Sequence, residues 1–105
     1  MVEYYQVWLS AETKKEAREI LNCLIKLKLI VGGTLLNGYS HFLWKGGEVE
    51  MKDYFYVMGF TIGKKLKNLE SQYKKINKNE EVPMASFIKI RGNKKFLDYI
   101  YENVK

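Results

Sequence analysis

The chain has 105 residues, 47% of them hydrophobic and 14% aromatic, and a formal net charge of +6. That length suits one domain, residues 1–105, with a real core, although about a third of the unfolded surface stays in water at this size. The composition excludes a disordered tail, no apolar run approaches the ~20 residues of a membrane helix, and a single Cys23 excludes an internal disulfide or a thiolate-rich zinc site.

The opening residues Met1 to Tyr5 lack the basic and apolar regions of a secretion signal, so a cytoplasmic protein that does not engage membranes is expected. Tyr4 to Leu9 alternates over aromatic and β-branched residues and reads as a strand. Thr13 and Glu16 have the spacing of a capping box, in which hydroxyl and carboxylate each take a backbone N–H. Ala17, Ile20, Leu21, Leu24 and Leu27 then recur at helical spacing, with Lys26 and Lys28 where cations suit a helix C-terminus. Gly32-Gly33 ends that unit.

Thr34 to Trp44 reads as a long strand, with a bend or bulge expected at Asn37-Gly38. Gly46-Gly47 supplies the positive φ of a hairpin turn, and Val49 to Thr61 returns as the third strand. Leu66, Leu69, Tyr73 and Ile76 form the stripe of a second helix. From Lys64 to Lys78 six lysines face one acid, Glu70, so this segment alone carries +5. Such a run is ordinarily the solvated side of an amphipathic helix, and it also suits a small anionic ligand. Pro83 precedes a fourth strand, Ser86 to Arg91, and Asn93 is placed to cap a final helix carrying Phe96, Leu97, Ile100 and Val104.

The order β-α-β-β-α-β plus a terminal helix predicts an α+β, ferredoxin-like sandwich: an antiparallel sheet with helices on one face. The other face should then alternate to polar residues. It does not. Tyr54, Tyr56, Met58, Phe60 and Ile62 share one side of the third strand, opposite Phe55 and Val57, and Tyr4 and Trp8 stand opposite Tyr5, Val7 and Leu9. A patch of that kind marks a contact surface, covered by protein subunits or by stacked bases.

Four stretches carry a family likeness: Leu29-Ile-Val-Gly-Gly-Thr34, Asn37-Gly38, Leu43-Trp-Lys-Gly-Gly47 and Lys78-Asn-Glu-Glu-Val-Pro83. In order and spacing the chain resembles the CutA-type divalent-cation tolerance family over nearly its whole length. The resemblance implies a compact, non-enzymatic homotrimer in which sheets pack together, with Trp44, Tyr54, Tyr56 and Met58 as interface candidates. It also implies copper binding, yet the family's cysteine, histidine and acid positions fall here at Gly32, Lys78 and Met84. Thiolate, imidazole and carboxylate are lost together, so neither a family-type metal site nor a cofactor is expected.

Two other readings compete. An RNA-recognition module shares the element order, and Lys52, Tyr54, Tyr56 and Val57 fit its third-strand signature. Asp53, Phe55 and Gly59 do not fit it, which argues against a nucleic-acid partner. A trimeric signalling protein that takes anions or nucleotides in subunit clefts is the second competitor.

No nucleophile and base can be paired, since His41 is the sole histidine and no Gly-x-Ser-x-Gly elbow accompanies it. Catalytic residues are therefore not assigned, and no enzyme activity is expected. His41, Glu48 and Glu50 are weak metal candidates; Cys23 reads as a small hydrophobe on the first helix. Trp44 would line a cleft or pack at an interface.

Overall fold

The computed structural model describes residues 1–105. Its elements are β1 (Tyr4–Ala11), α1 (Lys14–Lys26), β2 (Gly33–Leu43), β3 (Val49–Ile62), α2 (Leu66–Ile76), β4 (Ala85–Ile90) and α3 (Lys94–Val104). All four strands join one antiparallel sheet in the order β2-β3-β1-β4. This is the ferredoxin-like plan that the periodicities predict.

One face of the sheet buries Val7, Leu9 and Ala11 of β1 and Val57 of β3 against Ala17, Ile20 and Leu24 of α1 and Leu69 and Tyr73 of α2. Each fully buried aliphatic side chain stabilises the fold by about 1.5–3 kcal/mol, so this layer is the main core. The opposite face is not left bare. At one end α3 lays Ile100 and Val104 on Ile62, with Tyr4, Phe60, Phe96 and Leu97 around them. Phe60 and Phe96 meet edge to face at 5.0 Å. The chain's own last helix therefore covers part of the aromatic face that the sequence assigns to subunits or bases. Farther along that face Leu36 and Ile88 stay exposed and Met58 half-buried.

Several local expectations change. No bulge occurs at Asn37-Gly38: β2 and β3 pair without interruption from Gly33↔Gly59 to Leu43↔Val49. Asn37 holds its place by donating its side-chain amide to the Tyr54 carbonyl at 3.1 Å. Asn93 takes the N-cap position of α3, but its side chain makes no cap hydrogen bond. Of the capping box, the half in which Thr13 accepts from the Glu16 N–H forms, at 3.1 Å.

Nor does α1 end at Gly32-Gly33. It closes earlier, at Leu27, after which Lys28 adopts φ 57° and Leu29 N–H returns to the Leu24 carbonyl at 2.9 Å. Paired with Lys28 N–H to the Ile25 carbonyl, this is a Schellman closure with lysine in the left-handed position that favours glycine. The Cβ there costs roughly 1–2 kcal/mol. Lys28→Gly is accordingly expected to stabilise the protein by about 1 kcal/mol, read as a higher midpoint in thermal unfolding. An unchanged or lower midpoint would contradict that geometry.

Beyond Ala11↔Phe55, β1 stops while β2 and β3 continue, pairing only with each other from Gly38↔Tyr54 to Leu43↔Val49. This two-stranded arm gives the molecule its 45 Å long axis, against 24 and 21 Å for the other two. Gly46 and Gly47, at φ 82° and 78°, close its turn.

Candidate functional site

A cleft of about 680 Å³ opens between the arm and the loop of residues 77–84 that leads from α2 into β4. Strand alternation builds its arm-side wall: Ser40 and Phe42 of β2 and Glu50, Lys52, Tyr54 and Tyr56 of β3 share one face in register. The rings interlock. Phe42 meets Trp44 edge-on at 5.9 Å and Tyr54 at 6.3 Å, while Tyr54 and Tyr56 lie 5.7 Å apart.

Ser10, Tyr73, Asn77 and Glu80 form a buried polar knot beneath this wall. Glu80 has only 8% of its surface exposed. Its carboxylate accepts from the Ser10 hydroxyl at 3.0 and 3.1 Å, from the Asn77 amide at 2.7 Å and from the Tyr54 hydroxyl. Tyr73 and Asn77 donate to the Ser10 carbonyl at 2.7 and 3.1 Å. Met84 N–H donates to the Ser10 hydroxyl at 2.8 Å, and the Ser10 N–H donates to the Met84 carbonyl at 3.0 Å. The loop is thereby stitched to the end of β1.

Loss of solvent raises the Tyr54 phenol above the usual tyrosine value, and the hydrogen bond to Glu80 and its charge push it further. Burial likewise raises Tyr73, against the hydrogen bonds to Ser10 and Asn77, which lower it. Both phenols therefore remain neutral donors at physiological pH.

Two ion pairs rim the cleft. Lys45 reaches Glu81 at 2.5 Å and Lys52 reaches Glu12 at 3.0 Å. The same ammonium groups stand over aromatic rings, Lys45 at 5.9 Å from the Trp44 centroid and Lys52 at 5.3 Å from that of Tyr54.

Of the interface candidates, Trp44, Tyr54 and Tyr56 line this cleft, whereas Met58 belongs to the neighbouring apolar patch. Of the metal candidates, His41 and Glu50 both border the cleft, but His41 pairs across the ladder with Met51 and Phe42 with Glu50, so the two stand on opposite faces of the arm. His41 instead meets Tyr39 edge-on at 5.3 Å. Glu48 sits in the turn just before β3. Cys23 lies half-buried on α1, in a groove with Lys15, Arg18 and Lys26. No three histidine, cysteine or acidic side chains converge into a metal-holding group. The donor set does not fit a tight transition-metal site, which needs several convergent N, S or O ligands.

The residues missed in the sequence are Ser10, Glu12, Asn77, Glu80 and Glu81. The one available signal was the acidic pair Glu80-Glu81 directly after a lysine-rich run.

The family described as CutA1 divalent ion tolerance protein matches residues 5–103. No curated protein matches the chain by sequence. Among solved structures, the periplasmic divalent cation tolerance protein CutA of Archaeoglobus fulgidus is 27% identical, with TM-score 0.89 and full coverage of both chains. The divalent cation tolerance protein of Thermus thermophilus is 23% identical, with TM-score 0.88, again over both chains in full. CutA1 of Ehrlichia chaffeensis, 19% identical with TM-score 0.90, matches all of this chain and 98% of its own; the last two likenesses show the fold.

Proposed function

This chain belongs to the CutA1 divalent ion tolerance family, and we propose that it works as a non-enzymatic homotrimer whose clefts take a small ligand or ion. The observation that carries the assembly is the projecting arm. A two-stranded hairpin is marginal alone in water, and its unpaired edges invite pairing with another chain. On the side away from the cleft the arm exposes Tyr39 (62%), Val49 (63%) and Met51 (54%), and Leu43 (72%) stands exposed at the cleft's edge. The sheet, in turn, leaves Leu36, Met58 and Ile88 uncovered beside α3. An arm laid on the neighbour's sheet would hide both surfaces, and a head-to-tail contact of this kind closes into a ring of three when neighbours are related by a 120° rotation.

Met58→Lys places an ammonium in that patch while leaving the helix-covered core untouched. The variant is expected to retain its circular dichroism spectrum and to fall to a single chain by light scattering. A folded Met58→Lys protein that keeps the wild-type mass would overturn this interface.

The cleft suits a ligand because it joins aromatic walls to a few convergent polar groups. Stacked bases suit it poorly, since Glu12, Glu50 and Glu80 would face the phosphates. An anion would instead meet the exposed lysines of α2, where only Lys74 is paired, with Glu70 at 3.5 Å.

Divalent metal is expected to bind weakly if at all. With Gly32, Lys78 and Met84 at the family's ligand positions, and His41 and Cys23 on separate elements, calorimetric titration with Cu²⁺ or Zn²⁺ should show no submicromolar stoichiometric binding. Tight binding abolished by His41→Ala or Cys23→Ser would contradict this reading.

A further inference from the structure

We propose that the cleft between the arm and loop 77–84 binds a linear organic dication, a diamine or polyamine with primary ammonium groups. This ligand class rests on the reading of that cleft as the chain's ligand site. Three observations lead to it.

The first is charge. The lining carries Glu12, Glu50, Glu80 and Glu81 against Lys52, and Lys45 pairs with Glu81 from the rim. Four acids and two lysines leave −2 in a chain whose total is +6. The remainder of the protein is thus +8, and the cleft is a negative focus in a positive molecule. Two carboxylates account for the surplus. Glu50 has no ion pair, and Glu80 is held by neutral donors alone. The donor protons of Ser10, Asn77 and Tyr54 occupy three of about four acceptor positions on the Glu80 carboxylate, which leaves one position and the whole charge unsatisfied.

The second observation is that the chain already places ammonium groups here. Lys52 and Lys45 each combine a carboxylate within 3.0 Å with an aromatic face within 5.9 Å. That pairing of ring and carboxylate is how proteins hold ammonium, and a ligand cation would meet the same chemistry at Glu50 and Glu80.

The third is size. A volume of about 680 Å³ lies in the range of organic ligands rather than of a bare ion. The acids do not converge in threes, which disfavours tight coordination of an inorganic cation by protein ligands alone. An extended chain of methylenes would run along Phe42 and Tyr56, with its two charged ends neutralising the separate carboxylates.

Calorimetric titration of the intact protein with 1,4-diaminobutane and with spermidine tests this, with n-butylamine and Mg²⁺ at matched ionic strength as controls. One site per chain is expected, with n-butylamine and Mg²⁺ at least about tenfold weaker. Glu50→Gln, an exposed position outside the buried knot, should weaken diamine binding about tenfold, and Trp44→Ala should weaken it as well. Absence of diamine binding at millimolar concentration would overturn the proposal. So would equal binding by Mg²⁺, which would mean diffuse charge alone, or diamine affinity unchanged by Glu50→Gln. Light scattering on the same samples keeps the two claims apart: a trimer without diamine binding removes only the ligand class, whereas a monomer that binds diamine removes only the assembly.

Discussion

Gly33→Ala is expected to destabilise the protein by about 3 kcal/mol, while Gly32→Ala next to it stays within about 0.5 kcal/mol of wild type. Gly33 pairs with Gly59 across β2 and β3, and a Cβ at Gly33 would lie 2.4 Å from the Met58 carbonyl oxygen and 3.0 Å from Leu21 Cδ1. A side chain could rotate away. The Met58 oxygen cannot, because it is backbone within the central strand. Relief would require the two strands to part at the start of β2, where Gly59 also pairs with the buried Val7 of β1. A Cβ at Gly32 meets nothing within 4 Å. Urea unfolding of the two variants beside wild type measures the contrast, and equal midpoints would show that the close approach at Gly33 does not exist.

Glu80→Ala should cost about 3 kcal/mol, and Glu80→Gln about 1 kcal/mol or less. Removing the carboxylate leaves the Tyr54 hydroxyl without its protein partner, and Ser10 and Asn77 each lose one of several. The loss is local as well as global, because Glu80 belongs to the loop that the knot ties to β1. Glutamine keeps an acceptor and the shape, and it removes a buried charge that no cation neutralises. Hydrogen exchange of residues 77–84 should therefore quicken strongly in the alanine variant and little in the glutamine one. Alanine-level destabilisation in Glu80→Gln would instead mean that the charge itself holds the knot together.

How far the sequence could be read depends on the range of the interaction. The stripe Ala17, Ile20, Leu24 and the alternation through Phe55 and Val57 report burial at the period of their own element, and these elements form as expected. Asn37-Gly38 carries turn chemistry, but eleven residues of ladder hold the strand straight through it. The left-handed Lys28 could not be anticipated, since local preference gives that position to glycine and only the packing of Leu24 and Leu29 sets it. The apolar stripe of α3 was legible, but not the sheet face on which it lands. The cleft was hardest of all. Ser10 meets Asn77 and Glu80 across 67 and 70 residues of chain, and no local pattern records such a meeting. Trp44, Tyr54 and Tyr56 stood out as aromatic residues on one strand face, but the acids opposite them became visible only once loop 77–84 was in place.

If the arm and the uncovered sheet face make one assembly, the protein in solution is a trimer. Size-exclusion chromatography with light scattering on the wild-type protein, diluted to low micromolar concentration, addresses it most directly. One species of about 37 kDa is expected, three times the 12.4 kDa of a single chain. A stable, folded species of 12.4 kDa would contradict it, leaving the arm and the Leu36, Met58 and Ile88 patch in water.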